Sequence, residues 1–191
     1  MTLTHILPSL RKSLADPINR DNWPEHTTTS TADVTIAGLS LVTLVQWCGT
    51  PCVHTAAAVV RGTNGRPSET ELASVVVVRV VSVSRENDQL SVWVDAEFDR
   101  CAAICSETRL IGRASTAHAS SAVLFPASPN GTVHRALELP LDLTVGDLLA
   151  IPCKGVTLLR DVQDRAAHRG RVLEAGTETS DDVYPLPVCG R

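Results

Sequence analysis

The sequence predicts a mainly β chain: a small antiparallel β-barrel of roughly six to eight strands, with short N-terminal helices. Three observations carry this. Ser74 to Arg85 is dense in valine, and the unbroken run Val75 to Val78 fits a strand buried on both faces for part of its length. Leu90, Val92 and Val94 alternate with Ser91 and Trp93, the period of a half-buried strand, and Glu86 to Gln89 supplies the hairpin turn before it. Further short apolar segments follow at Arg109–Arg113, Ala122–Phe125, Val133–Leu139, Leu148–Ile151 and Val156–Leu159, separated by turn signals.

The remaining elements follow in chain order. Leu3, Ile6, Leu7, Leu10 and Leu14 share one face of a short helix that Pro8 interrupts. Residues 16–32 hold Pro17, Pro24 and a threonine run, so they read as an extended arm, with Trp23 placed to pin it. Val34 to Ile36 reads as a strand turned by Gly38. Ser40 then caps a helix over Leu41 to Trp47, which Gly49 and Pro51 stop. Cys52 to Val60 suits either a strand or a helix. Gly62 to Pro67, with Asn64-Gly65, is a turn-rich connector, and Asn130-Gly131 a hairpin turn. The organisation expected is an N-terminal helix and arm over 1–33, a β-barrel domain over 34–159, and a polar tail over 160–191.

Composition narrows the function classes. An apolar fraction of 43% in 191 residues supports a buried core. A net charge of −4 with no basic stripe argues against a nucleic-acid partner. No apolar run is long enough to cross a bilayer, and no basic segment precedes an apolar one, so no membrane role and a cytoplasmic location are expected. Only Lys12 and Lys154 of the 17 basic residues are lysine, a bias associated with GC-rich bacterial genomes. Six cysteines in such a chain are expected to be reduced. Cys48, Cys52 and His54 have a C-x3-C-x-H spacing that is not a standard zinc pattern, so no metal is expected.

Three blocks stand out in chain order. The first is ADPINRDNWP (Ala15 to Pro24) with VTIAGLSLVTLVQWCGTPCV (Val34 to Val53), closing at Arg61. The second is VVRVVSVSRENDQLSVWVDAE (Val77 to Glu97). The third is LIGRASTAHASSAVLF (Leu110 to Phe125) with LPLDLTVGDLLAIPCKGVT (Leu139 to Thr157). Together they resemble the diaminopimelate decarboxylase group of fold-type III, PLP-dependent amino-acid decarboxylases, with Ala96 and Glu97 in place of the family's two glycines. The resemblance implies the family's C-terminal β-domain plus its N-terminal segment. The PLP-binding α/β barrel is missing, and residues 62–72 stand in its place. It also implies lost chemistry. The family's Cys-Glu pair falls near Ser115 and Thr116, and its tyrosine falls on Thr157. PLP catalysis needs a buried, desolvated lysine, which neither Lys12 nor Lys154 offers by position.

The site expected is therefore a new one, without a cofactor. His118, in the polar loop Ala114 to Ser121, and Glu97 are the candidate catalytic groups, since imidazole and carboxylate move protons. Trp93, Asp95, Ser115, Thr116 and Thr157 are the candidate ligand contacts. Each has a plainer reading, as a solvated loop, a strand end or ordinary packing. The expected function is a PLP-independent protein of specialised bacterial metabolism that binds or transforms a small-molecule ligand, with the arm as a lid. The alternative is a non-catalytic partner, a homodimer or a subunit of another protein, pairing through the old dimer surface.

Overall fold

Four consecutive buried valines, Val75 to Val78, organise the molecule. They lie in one 20-residue strand, β5, of a computed structural model that describes residues 3–86, 89–129 and 131–163. Side chains alternate across a strand. Val75 and Val77 therefore enter one apolar cluster with Trp23, Ile36 and Leu41. Val76, Val78 and Val80 enter a second with Leu90, Val92, Leu124 and Ile151. The valine run is the shared wall of two cores.

In chain order, α1 is a single turn (Leu3–Ile6), followed by a 3-10 turn at Pro8–Lys12. β1 (Thr28–Thr29), β2 (Val34–Ile36) and β3 (Leu39–Ser40) form a small antiparallel sheet, and α2 (Leu41–Cys48) follows it. β4 (Cys52–Val59), β5 (Pro67–Glu86), β6 (Gln89–Val94), β7 (Ala102–Ala103), β8 (Arg109–Ile111), β9 (Ala119–Phe125), β10 (His134–Pro140) and β11 (Leu148–Lys154) build an eight-stranded sheet. α3 (Leu159–Val162) closes the described chain. The main path of the sheet is β10-β9-β6-β5-β11-β7, with β4 also on β5 and β8 also on β11.

The chain is mainly β, as its valine pattern predicts, but the sheet is a curled half-barrel and not the closed small barrel expected. Among the described residues no ladder joins β10 to β8 or β7. The 3-10 turn Cys105–Glu107 packs against both β10 and β11, in the gap a closing ladder would need. The pairing is also not uniformly antiparallel. β9 runs parallel to β6, with Val92 opposite Leu124. Register shifts at Val80/Ser82 and His134/Leu137 bend the sheet where they occur.

Local signals explain several boundaries. Ser40 Oγ accepts the Thr43 N–H at 3.1 Å, the N-cap bond expected for α2, and Asp33 Oδ1 adds a second from the Val42 N–H at 3.2 Å. Gly49 ends the helix at φ +74°, a conformation that favours glycine. Ser40→Ala is expected to cost about 1 kcal/mol, read as a lower urea midpoint with an unchanged slope. Cys52 to Val60, left between strand and helix, is strand. β5 begins at Pro67, six residues into the stretch read as a connector, and Val156 to Leu158 is not strand. The N-terminal helix reduces to one α turn and one 3-10 turn. Residues 164–191, most of the expected tail, and residues 87–88 and 130 of the two expected turns lie outside the described residues.

Candidate functional site

The arm does not wander over the sheet; it is anchored at its start and near its middle. Trp23 is 1% exposed within the core beside β5, and its indole N–H donates to Glu107 Oε2 at 3.4 Å. Asn22 Nδ2 donates to the other oxygen of the same carboxylate at 3.1 Å. Nearer the N-terminus, Arg11 reaches across to the Ala117 carbonyl at 3.0 Å and pairs with Asp16 at 3.1 Å. Arg109 on β8 donates to the Pro17 carbonyl at 3.0 Å and to the Asp16 carbonyl.

Between these anchors lies a cleft of about 260 Å³. Arg11, Asp16 and Asp33 line it from the arm side, and Arg109, Arg113 and Ser115 from the sheet side. The charges are placed unequally. Arg113 forms a fork onto Asp147, with contacts at 2.8 and 2.7 Å, and reaches Asp142 at 3.1 Å. The Asp147 hydrogen bond raises its already high pKa further. Arg109, by contrast, gives its hydrogen bonds to two neutral carbonyls. Burial lowers its pKa and outweighs the attraction of Asp16 and Glu107. Its charge is therefore the least compensated of the three.

Of the residues singled out from sequence, the cleft takes in Ser115. Ser115 is buried and lines the cleft, donating to Asp142 Oδ1 at 2.6 Å and accepting the Ala117 N–H at 3.1 Å. Thr116 and His118 are exposed on the same loop, and the His118 carbonyl accepts the Leu141 N–H. Trp93 stacks on Phe125 with ring centroids 4.7 Å apart. Asp95 accepts the Arg79 N–H at 2.7 Å and the Thr50 hydroxyl at 2.6 Å, tying the turn before β4 to β5. The Glu97 N–H donates to the Val162 carbonyl, which holds α3 on the sheet. Thr157 is buried, and its N–H donates to Ser74 Oγ at 2.9 Å.

Sequence reasoning missed the cleft arginines. Fifteen of them among 17 basic residues masked the informative ones. The signal available was local: Arg109 and Arg113 flank a short apolar strand, and Arg113 has two later aspartates to meet in the segment Asp142 to Asp147.

Further hollows exist among the described residues. One, of about 870 Å³, runs past Trp23, Leu72, Ile104, Cys153 and Lys154. Another, of about 210 Å³, lies beside Pro24 to Thr28. Among the described residues no group of three His, Cys, Asp or Glu side chains is spaced to hold a metal ion. Lys12 and Lys154 are both exposed, so neither supplies the buried amine that a PLP Schiff base requires.

No family model matches the chain, and no curated protein matches it. Solved structures do. The arginine decarboxylase of Paramecium bursaria Chlorella virus aligns at 14% identity and a TM-score of 0.37, over 48% of this chain and 29% of that one. The same enzyme bound to agmatine aligns at 15% identity and 0.36, with the same coverage. The lysine decarboxylase of Selenomonas ruminantium aligns at 15% identity and 0.37, over 49% of this chain and 26% of that one. The chain thus spans less than a third of these enzymes' length, and the likeness concerns part of a fold, not an activity.

Proposed function

We propose that this chain binds a small molecule bearing a carboxylate or phosphate in the cleft beneath its arm, without PLP and without decarboxylation. The observation that carries the reading is Arg109. A desolvated guanidinium that meets only carbonyl oxygens still favours an anion, and its planar fork suits a carboxylate or phosphate. Arg11 and Arg113 are already paired with acids. The arm supplies one wall, so ligand exchange requires it to lift.

This reading keeps Ser115 as a cleft residue, with Thr116 and His118 on the loop beside it. It assigns no catalytic step to Glu97 or to His118. The lysine-poor composition supports a bacterial setting, and a role in specialised metabolism is part of the same proposal.

Native mass spectrometry of the purified chain is expected to show a small acid that dissociates on denaturation. Titration with a panel of small carboxylates and phosphates, followed by thermal shift, then ranks the class. Arg109→Met is expected to weaken binding at least about tenfold, the effect of losing roughly 1.4 kcal/mol. Arg109→Lys is expected to recover only part of it. Unchanged binding in Arg109→Met, with an unchanged circular dichroism spectrum, removes the proposal.

A second reading, self-association, has its own observation. Val60, Leu72 and Val156 are 42%, 47% and 56% exposed beside the 870 Å³ hollow. Apolar side chains gathered at one hollow favour cover by another surface. Sedimentation of the full chain separates the readings, because a monomer across the micromolar range excludes this one.

A further inference from the structure

The cysteines outside the cleft are not scattered. Cys101, Cys105 and Cys153 meet in the core beneath β11, and all described cysteines are free thiols. The topology sets this up. Cys153 on β11 lies opposite Ala103 on β7, so Cys101, two residues earlier, is its diagonal neighbour on the same face. The turn before β7 holds Cys101 in place: its N–H donates to the Phe98 carbonyl at 3.2 Å, and its thiol to the same oxygen at 3.5 Å. Both side chains pack on the same apolar cluster. Their exposures differ. Cys101 is half-buried, whereas Cys153 is 1% exposed. The buried Thr157 hydroxyl has no hydrogen-bond partner among the described residues.

We propose that Cys101 and Cys153 are a reversible disulfide pair, in which Cys101 is the attacking thiol and Cys153 the resolving one. The oxidant is a small-molecule disulfide. Cys101 thiolate attacks one of its sulfurs, forming a mixed disulfide and releasing one small thiolate. Cys153 then loses its proton and attacks the Cys101 sulfur, releasing the second. The protein loses two hydrogens, and the small disulfide is reduced to two thiols. The ordering follows from access: half-buried Cys101 can meet a small disulfide, and Cys153, 1% exposed, cannot. Burial pushes Cys105 up to about 11, which leaves it unreactive although it is close by. The bond formed ties the 98–103 turn to β11, one wall of the 870 Å³ hollow.

The test uses the full chain carrying Cys48→Ser and Cys189→Ser, which removes an exposed thiol and the one outside the described residues. Oxidised glutathione is expected to lower its intact mass by two hydrogens, and peptide mapping to join Cys101 to Cys153, with full reversal by dithiothreitol. Adding Cys153→Ser is expected to trap glutathione on Cys101, and adding Cys101→Ser to abolish both products. A cross-link from Cys101 to Cys105 overturns the proposal. So does a folded reference chain that stays reduced while unfolded chain is oxidised. If Cys153→Ser does not fold, the map of the reference chain still decides.

Discussion

Trp23→Ala is expected to remove about 3–5 kcal/mol of stability, the usual cost of truncating a buried tryptophan. Against a domain total of roughly 5–15 kcal/mol, that brings the chain near the edge of folding. The indole is 1% exposed in the cluster formed with Ile36, Leu41, Val75 and Val77, so its loss leaves a cavity that a β-sheet wall cannot collapse to fill. It also leaves Glu107 without its indole donor. Trp23→Phe separates these effects. It keeps most of the apolar volume, so it is expected to restore more than half of the loss. Urea unfolding measures both variants. A loss below about 1 kcal/mol for Trp23→Ala would mean that the arm is not seated on the core. A second consequence concerns the cleft. Trp23 and Arg109 fix the arm at separate points, so a folded Trp23→Ala chain is expected to exchange ligand faster.

The β-core was legible because its signal is one of period. The valine run predicts a doubly buried strand, and the two clusters either side of β5 are what that requires. Ser40 and Gly49 bracket α2 by side-chain chemistry that local sequence states outright. Closure was not legible. Whether a curled sheet seals depends on which strand lies outermost, and the parallel β6–β9 pair sets that. Parallel pairing needs a crossover, and nothing in the composition of residues 95–118 distinguishes a crossover from a string of hairpins.

The site was less legible, for a different reason. Trp93 and Phe125 meet because β6 and β9 are neighbours, a contact made 32 positions apart by topology alone. Asp95 reads as an acid at a strand end, yet its carboxylate clasps the turn before β4 to β5. Acidic residues announce their charge in sequence, but not whether a main-chain N–H will occupy it. The arginines of the cleft show the converse. Their importance lies in burial and in partners, drawn from the arm for Arg109 and from the Asp142–Asp147 segment for Arg113, and the spacing of Arg113 and those aspartates is the one trace of it in the sequence.

Arg113→Ala is the second large loss expected, about 3–5 kcal/mol near neutral pH, because it strands a buried carboxylate. Asp147 has a side chain 9% exposed and receives Arg113 at 2.7 Å. Burial alone would raise its pKa. The hydrogen bonds from Arg113 and Thr144 overcome that and hold it below the ordinary aspartate range. A carboxyl depressed in the folded state contributes stability that is full above its unfolded pKa, roughly 3.9, and is lost as pH falls through the lower folded value. In Arg113→Ala only the Thr144 hydrogen bonds still oppose the burial penalty, so the folded carboxyl's pKa rises from its wild-type position. The penalty is then greatest where Asp147 would be charged and fades where both states are protonated. The stability gap between the two chains is therefore expected to narrow as pH drops from 7 to below about 4. Urea is the denaturant to use, since guanidinium salt screens the pair. Adding Asp147→Asn to Arg113→Ala is expected to recover part of the loss at neutral pH and little in acid. A gap that stays constant with pH would place the cost in lost packing of the arginine stem over the loop, and not in the stranded charge.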